Sequence, residues 1–305
     1  MKKNFNKPVT SLDQQIKLLR DRGLFIKDEE RAKRYLSNIF YYRLSSYFVP
    51  YQSENDQFLE DTEFNDILNT YIFDRELRLI VLDALERIEI AIRSKICNYV
   101  CDETKDPFWI YNADNFISIN GGFTRITKNI QNIIFRDVRY NRYSIKTPIQ
   151  HYQNIYNQPE KPAVWMIFDS LSFGDLQLIY SSLKNNHLKK KIAYELGINQ
   201  ILLESWLKNF QMVRNICAHH SRLWNRGFGT SPAIPKSRNI MWIEDGISGN
   251  KLYLSIVAIQ VILYKISPKS SWIARLKSLL QKYPNIDIQS MGFTENWEDD
   301  IFWKQ

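Results

Sequence analysis

Leu77, Val81, Leu85, Ile88, Ile92 and Ile96 recur at i, i+4, i+8, i+11, i+15 and i+19, which draws one continuous apolar stripe along a helix from Phe64 to about Val100. A stripe of that length has to be covered by other elements along its whole run. The only packing partners the rest of the chain offers in quantity are further amphipathic helices. The chain therefore reads as all-α, a helical bundle with an N-terminal helical cap and a C-terminal helical extension and very little strand. With 44% hydrophobic residues in 305 positions, the core such a bundle needs is available.

Three regions follow from the punctuation: 1–60 as a small helical module, 61–230 as the main bundle with an inserted basic segment, and 231–305 as C-terminal helices with a docked aromatic tail. In the first, Thr10 or Ser11 caps a helix that ends at Gly23, and Asp28 caps the next, with Ala32, Tyr35 and Leu36 facing inward. A third helix over Phe40 to Phe48 stops before Pro50. Two readings apply to this module. As a packed cap it has Tyr41, Tyr42 and Tyr47 as its core; as a helix-turn-helix it offers Arg31, Lys33, Arg34 and Arg43 to nucleic acid. The cap is preferred because no recognition helix stands out. On the long helix, Glu89 and Arg93 form an i, i+4 pair that reads as solvated.

Between Cys101 and Pro162 the pattern breaks into short helices and loops. Within it Arg125, Lys128, Arg136, Arg139, Arg142 and Lys146 interleave with Phe135, Tyr140 and Tyr143. That composition suits a single-stranded RNA track and equally a charged surface helix with a buried aromatic edge. Later, Gly197 ends one helix and Asn199 caps the next. The stretch Leu252 to Ile266 is a buried helix, too short and too dotted with polar residues to span a bilayer.

The helix that Asn199 opens is expected to run through Trp206 to Arg226. Its apolar side carries Leu202, Trp206, Phe210, Val213, Cys217 and Trp224. The opposite side gathers Asn215, His219, Arg222 and Arg226, with Arg214 about 100° away and His220 nearer the apolar side. An imidazole moves protons near neutral pH, and guanidiniums hold phosphate in bidentate bonds without losing charge. Together they suit activation of a ribose 2′-hydroxyl against its neighbouring phosphodiester, without a metal.

The string Arg214-Asn215-Ile216-Cys217-Ala218-His219 resembles the R-x4-6-H signature of HEPN ribonucleases, and the longer RNICAHHSRLWNR resembles the abortive-infection (Abi) family, AbiD/AbiF-like, of bacterial defence proteins. Tyr41-Tyr42-Arg43-Leu44-Ser45-Ser46-Tyr47, Phe73-Asp74-Arg75-Glu76-Leu77-Arg78 and Met291-Gly292-Phe293 with Trp297 extend the likeness over nearly the whole chain. The resemblance implies a HEPN-like bundle and a toxin-type endoribonuclease that needs no cofactor and no metal. It further implies a homodimer whose two Arg214/His219 sets face a shared cleft. In that reading His219 carries the proton, Arg214 binds phosphate and Asn215 orients them, while His220, Arg222, Asn225 and Arg226 contact the substrate; His220 is the rival proton carrier. The alternative is a non-catalytic RNA-binding protein that holds a small non-coding RNA, and a third reading is a helical sensor of a phage protein.

Forty-one Lys+Arg against thirty-three Asp+Glu give a net charge of +8, which favours a polyanionic partner. Cys97, Cys101 and Cys217 make no paired framework, and the basic start Met1 to Pro8 is followed by no apolar run. Reduced thiols, no secretory signal and a cytoplasmic setting, with no membrane partner, are expected.

Overall fold

The computed structural model describes residues 8–53, 55–117, 121–139, 146–237, 239–244 and 249–304, with Val138 described by its backbone alone. The basic start at Met1 to Lys7 and the Tyr140, Arg142 and Tyr143 part of the basic segment lie outside the described residues. Among the described residues there are twelve α-helices, a few 3-10 turns and no strand, only three isolated bridges. The fold is all-α. None of these helices is long and apolar enough to cross a membrane.

The chain divides into two compact units. The first comprises residues 1–78 and 276–286. Its helix α1, Leu12–Asp21, opens on a capping box in which Ser11 and Gln14 exchange side-chain to backbone bonds. Helix α2, Glu29–Ile39, is capped by Asp28. Helix α3, Tyr41–Ser45, is shorter than the expected Phe40–Phe48. The proline ring at position 50 has no N–H to give and crowds the carbonyl of residue 46, so the chain tightens instead into a 3-10 turn, Val49–Tyr51. Tyr47 is buried as expected, but Tyr42 is 79% exposed and belongs to no core. Lys33 bonds Asp13 at 2.6 Å and Glu29 at 2.8 Å, and Arg31 donates to Asn65. Lys33 and Arg31 are thus bonded inside the unit, while Arg34 is exposed.

Helix α4, Phe64–Thr104, is 41 residues long; it begins in the first unit and continues in the second, residues 79–275 and 287–305. Each residue of the opening stripe, from Leu77 to Ile96, is fully buried. The second unit adds α5 (Gly122–Arg139), α6 (Pro148–Ile155), α7 (Val164–Phe168), α8 (Phe173–Ser182), α9 (Asn186–Tyr194), α10 (Gln200–Ala218), α11 (Leu252–Ile266) and the start of α12 (Trp272–Lys282). Where short helices and loops were expected, α5 is 18 residues long, because Ile126, Ile130 and Ile133 bury one face of it. Helix α8 packs against both α5 and α10. Residues Leu252 to Leu263 of α11 are all buried, which is why its sequence is apolar all round. The tail docks through Met291, Phe293, Trp297, Phe302 and Trp303, and the Trp303 indole N–H donates to Tyr253 at 2.9 Å; Ile301, expected among them, is exposed.

Burial pushes the Cys97 thiol up to about 12, with the neighbouring Cys101 adding to the shift. Cys97, Cys101 and Cys217 form no disulfide, as expected.

Candidate functional site

Helix α10 starts as expected, with the Asn199 side chain accepting from the Leu202 N–H. It ends eight residues earlier than expected, at Ala218. His220 takes a left-handed conformation at φ 56°. The His220 N–H bonds the Cys217 carbonyl and the Ser221 N–H bonds the Ile216 carbonyl, each at 3.0 Å. This pair of bonds is a Schellman stop with histidine where glycine is usual. Beyond it the chain is irregular, with a second left-handed residue at Asn225. Leu223 and Trp224 are buried, and the Trp224 indole donates to the Asp287 carbonyl at 2.9 Å. Asn215, His219, Arg222 and Arg226 therefore do not form one helical line; the line stops at His219.

The turn nevertheless returns part of that set to one place. An open groove of about 490 Å3 is lined by Lys208, Gln211, Met212, Asn215, Ile216, His219, Ser221 and Arg226. His219 is exposed there, at the C-terminal end of α10. Arg226 also donates to the Arg222 carbonyl at 3.3 Å, which folds the turn back on itself. Arg214, His220, Arg222 and Asn225 are not among the lining residues. The Asn225 amide oxygen accepts from Lys251 at 3.4 Å. Lys208 and Gln211, about three and two turns before His219, were not singled out from the sequence, although Lys208, Gln211, Asn215 and His219 follow helical spacing.

Arg214 points instead toward α4, where its Nε lies 3.5 Å from Glu89 Oε2. The other Glu89 oxygen takes the Arg93 guanidinium at 2.9 Å, and Arg93 also donates to the carbonyls of Phe168 and Leu171. The expected solvated pair is thus largely buried: the side chains of Glu89 and Arg93 are 12% and 15% exposed, against 35% for Arg214. The turn between α7 and α8 covers it. One carboxylate sits between two guanidiniums, one locked to backbone and one reaching the surface. Replacing Glu89 by Gln keeps the shape and removes the charge, and is expected to cost about 1–3 kcal/mol of unfolding free energy in urea. An unchanged midpoint would show that the pair contributes as little as a surface one.

Among the described residues no group of three His, Cys, Asp or Glu side chains is placed to hold a metal. Comparison with curated proteins and with solved structures finds no match. The profile described as "Abi-like protein" matches residues 34–225, well over half of the chain, and takes in Glu89, Arg93, Arg214, Asn215 and His219. The chain belongs to the Abi-like family of abortive-infection proteins.

Proposed function

We propose that this abortive-infection protein is a metal-independent endoribonuclease of the HEPN type, toxic to its own cell when infection releases it. The observation that carries the reading is the groove in which Asn215 and His219 stand beside Lys208 and Arg226, with Arg214 fixed nearby on α10 by Glu89. In the proposed reaction His219 takes the proton of a ribose 2′-hydroxyl, the 2′-oxygen bonds to the adjacent phosphorus, and the bond to the 5′-oxygen breaks. Arginine and lysine charges neutralise the phosphorane oxygens. The leaving 5′-oxygen needs a proton in return, and a second copy of His219 from a homodimer is the group we assign to it. The same pairing gives Arg214 a role toward a neighbouring chain's groove, since it does not line the groove of its own.

The reading is tested by incubating the purified protein with labelled RNA in excess EDTA. Loss of full-length RNA that His219→Ala abolishes supports it. Intact RNA co-purifying with both proteins would favour the RNA-binding alternative, in which the chain holds a small RNA without cutting it.

A further inference from the structure

Helix α5 carries an exposed face that the proposed reaction does not use. At about 100° per residue, Arg125, Lys128, Asn132, Phe135, Arg136 and Arg139 fall within one arc of roughly 100°, and every one of them is exposed. The opposite face is buried through Ile126, Ile130 and Ile133. The one carboxylate of the helix, Asp137, is turned away and accepts from Thr147. Among the described residues no carboxylate pairs with any of the four cations of this face. Phe135 stands among them 63% exposed.

This face is also one wall of an open groove of about 440 Å3, whose other wall is Ser170, Ser172 and Asp175. Asp175 is engaged there by the Asn129 amide at 2.6 Å and by Ser172 at 2.7 Å. The first turn of α8 separates this groove from the one that holds His219. At Gly174 a Cβ would stand 2.6 Å from Gln211 Nε2, and Gln211 lines the His219 groove. Gly174, between Ser172 and Asp175 of this groove, thus stands against Gln211 of the other.

We propose that the α5 face binds single-stranded RNA as an extension of the α10 groove, with a base stacked on Phe135 and phosphates on Arg136 and its neighbouring cations. The identity of the polymer rests on the ribonuclease reading; the binding face stands on its own geometry. Unpaired bases expose the π-faces that a lone phenyl ring can stack on, whereas in a duplex those faces are covered. An anionic membrane would also meet the cations, but the apolar side of α5 is buried in the bundle, so Phe135 alone remains for insertion.

The test is fluorescence anisotropy with an oligouridine of about twelve nucleotides, within the range of single-strand sites, in the full chain carrying His219→Ala so that the strand stays intact. A matched RNA duplex and vesicles of anionic phospholipid are run beside it. Phe135→Ala is expected to weaken single-strand binding roughly tenfold, while the exposed position leaves the thermal unfolding unchanged. Arg136→Gln with Arg139→Gln is expected to flatten the log–log salt slope by about 1.4, two contacts at about 0.7 each. The proposal is overturned if Phe135→Ala binds oligouridine as tightly as its parent, if duplex and single strand weaken alike, or if the vesicles bind and RNA does not. Binding that depends on Phe135 in a chain whose native form cuts nothing would retain this face and reject the ribonuclease; cleavage with binding indifferent to Phe135 would do the reverse.

Discussion

Replacing His219 by alanine is expected to lower the rate of RNA cleavage by about 10²–10⁴-fold, the span that a positioned proton carrier contributes. Arg214→Ala is expected to cost about 10²–10³-fold, in the range of a lost charge-stabilising donor. The double variant should be little worse than the poorer single one, because groups that act in one step do not add. His219 is exposed at the end of α10, so its loss should leave folding intact and the effect should be catalytic. Arg214→Lys should rescue little, since an ammonium cannot reproduce the planar fork that meets both Glu89 and a phosphate. His220→Ala should retain activity, because His220 serves the helix stop and does not line the groove. Mixing inactive Arg214→Ala and His219→Ala chains adds a direct reading of the proposed dimer. If each groove draws Arg214 from its partner, one groove of a mixed dimer keeps its own His219 and the partner's Arg214 and lacks only the second His219, so part of the activity returns. Should His220→Ala be dead and His219→Ala active, the proton carrier has been misassigned.

The largest expected effect on stability lies in the first unit. Asp74 is fully buried on α4 and accepts from the Tyr47 hydroxyl at 2.5 Å and from the Arg78 guanidinium, itself 5% exposed. Burial, with the Asp74 carboxylate next in weight, holds the Tyr47 phenol well above its ordinary range, so it stays a neutral donor. Asp74→Ala leaves a guanidinium in the core without its counter-charge and is expected to cost about 3–5 kcal/mol in urea unfolding. Adding Arg78→Met removes the stranded charge and should recover a substantial part of that loss. A loss below about 1 kcal/mol, or a double variant no better than the single one, would mean that water or another group satisfies Arg78.

Much of the fold could be read from local chemistry, and the exceptions have a common cause. Asp28 and Asn199 cap the helices they were expected to cap, and of Thr10 and Ser11 it is Ser11 that caps the first, because a cap depends on residues three apart in sequence. The stripes of α4 and of α10 as far as Cys217 are buried as expected, since periodicity is also local. The end of α10 was not legible. Ala218-His219-His220-Ser221 contains neither glycine nor proline, and the stop depends on burial of Leu223 and Trp224, the latter reaching residue 287. Glu89 and Arg93 could be paired from their spacing, but their burial depends on which distant segment covers that side of α4, and Phe168 and Leu171 do. Likewise, residues 276–286 belong with 1–78 through contacts such as Lys282 to Glu76 at 2.9 Å, which no local pattern announces. For the candidate site, Asn215, His219 and Arg226 were named together and do line one groove, although the straight helix expected to align them is broken. Arg214 was named with them and is held elsewhere, by Glu89.

The central claim is a chemical one, attack by the ribose on its own phosphodiester at a His219 site, and the ends of the RNA fragments record it. Purified protein is given a defined RNA in excess EDTA, and the products are typed with a phosphatase and a kinase before and after acid opening of cyclic phosphates. The account predicts 2′,3′-cyclic phosphate and 5′-hydroxyl ends, formed at an undiminished rate in EDTA and lost in His219→Ala. Fragments with 5′-phosphate and 3′-hydroxyl ends, or cleavage that EDTA abolishes, would contradict it.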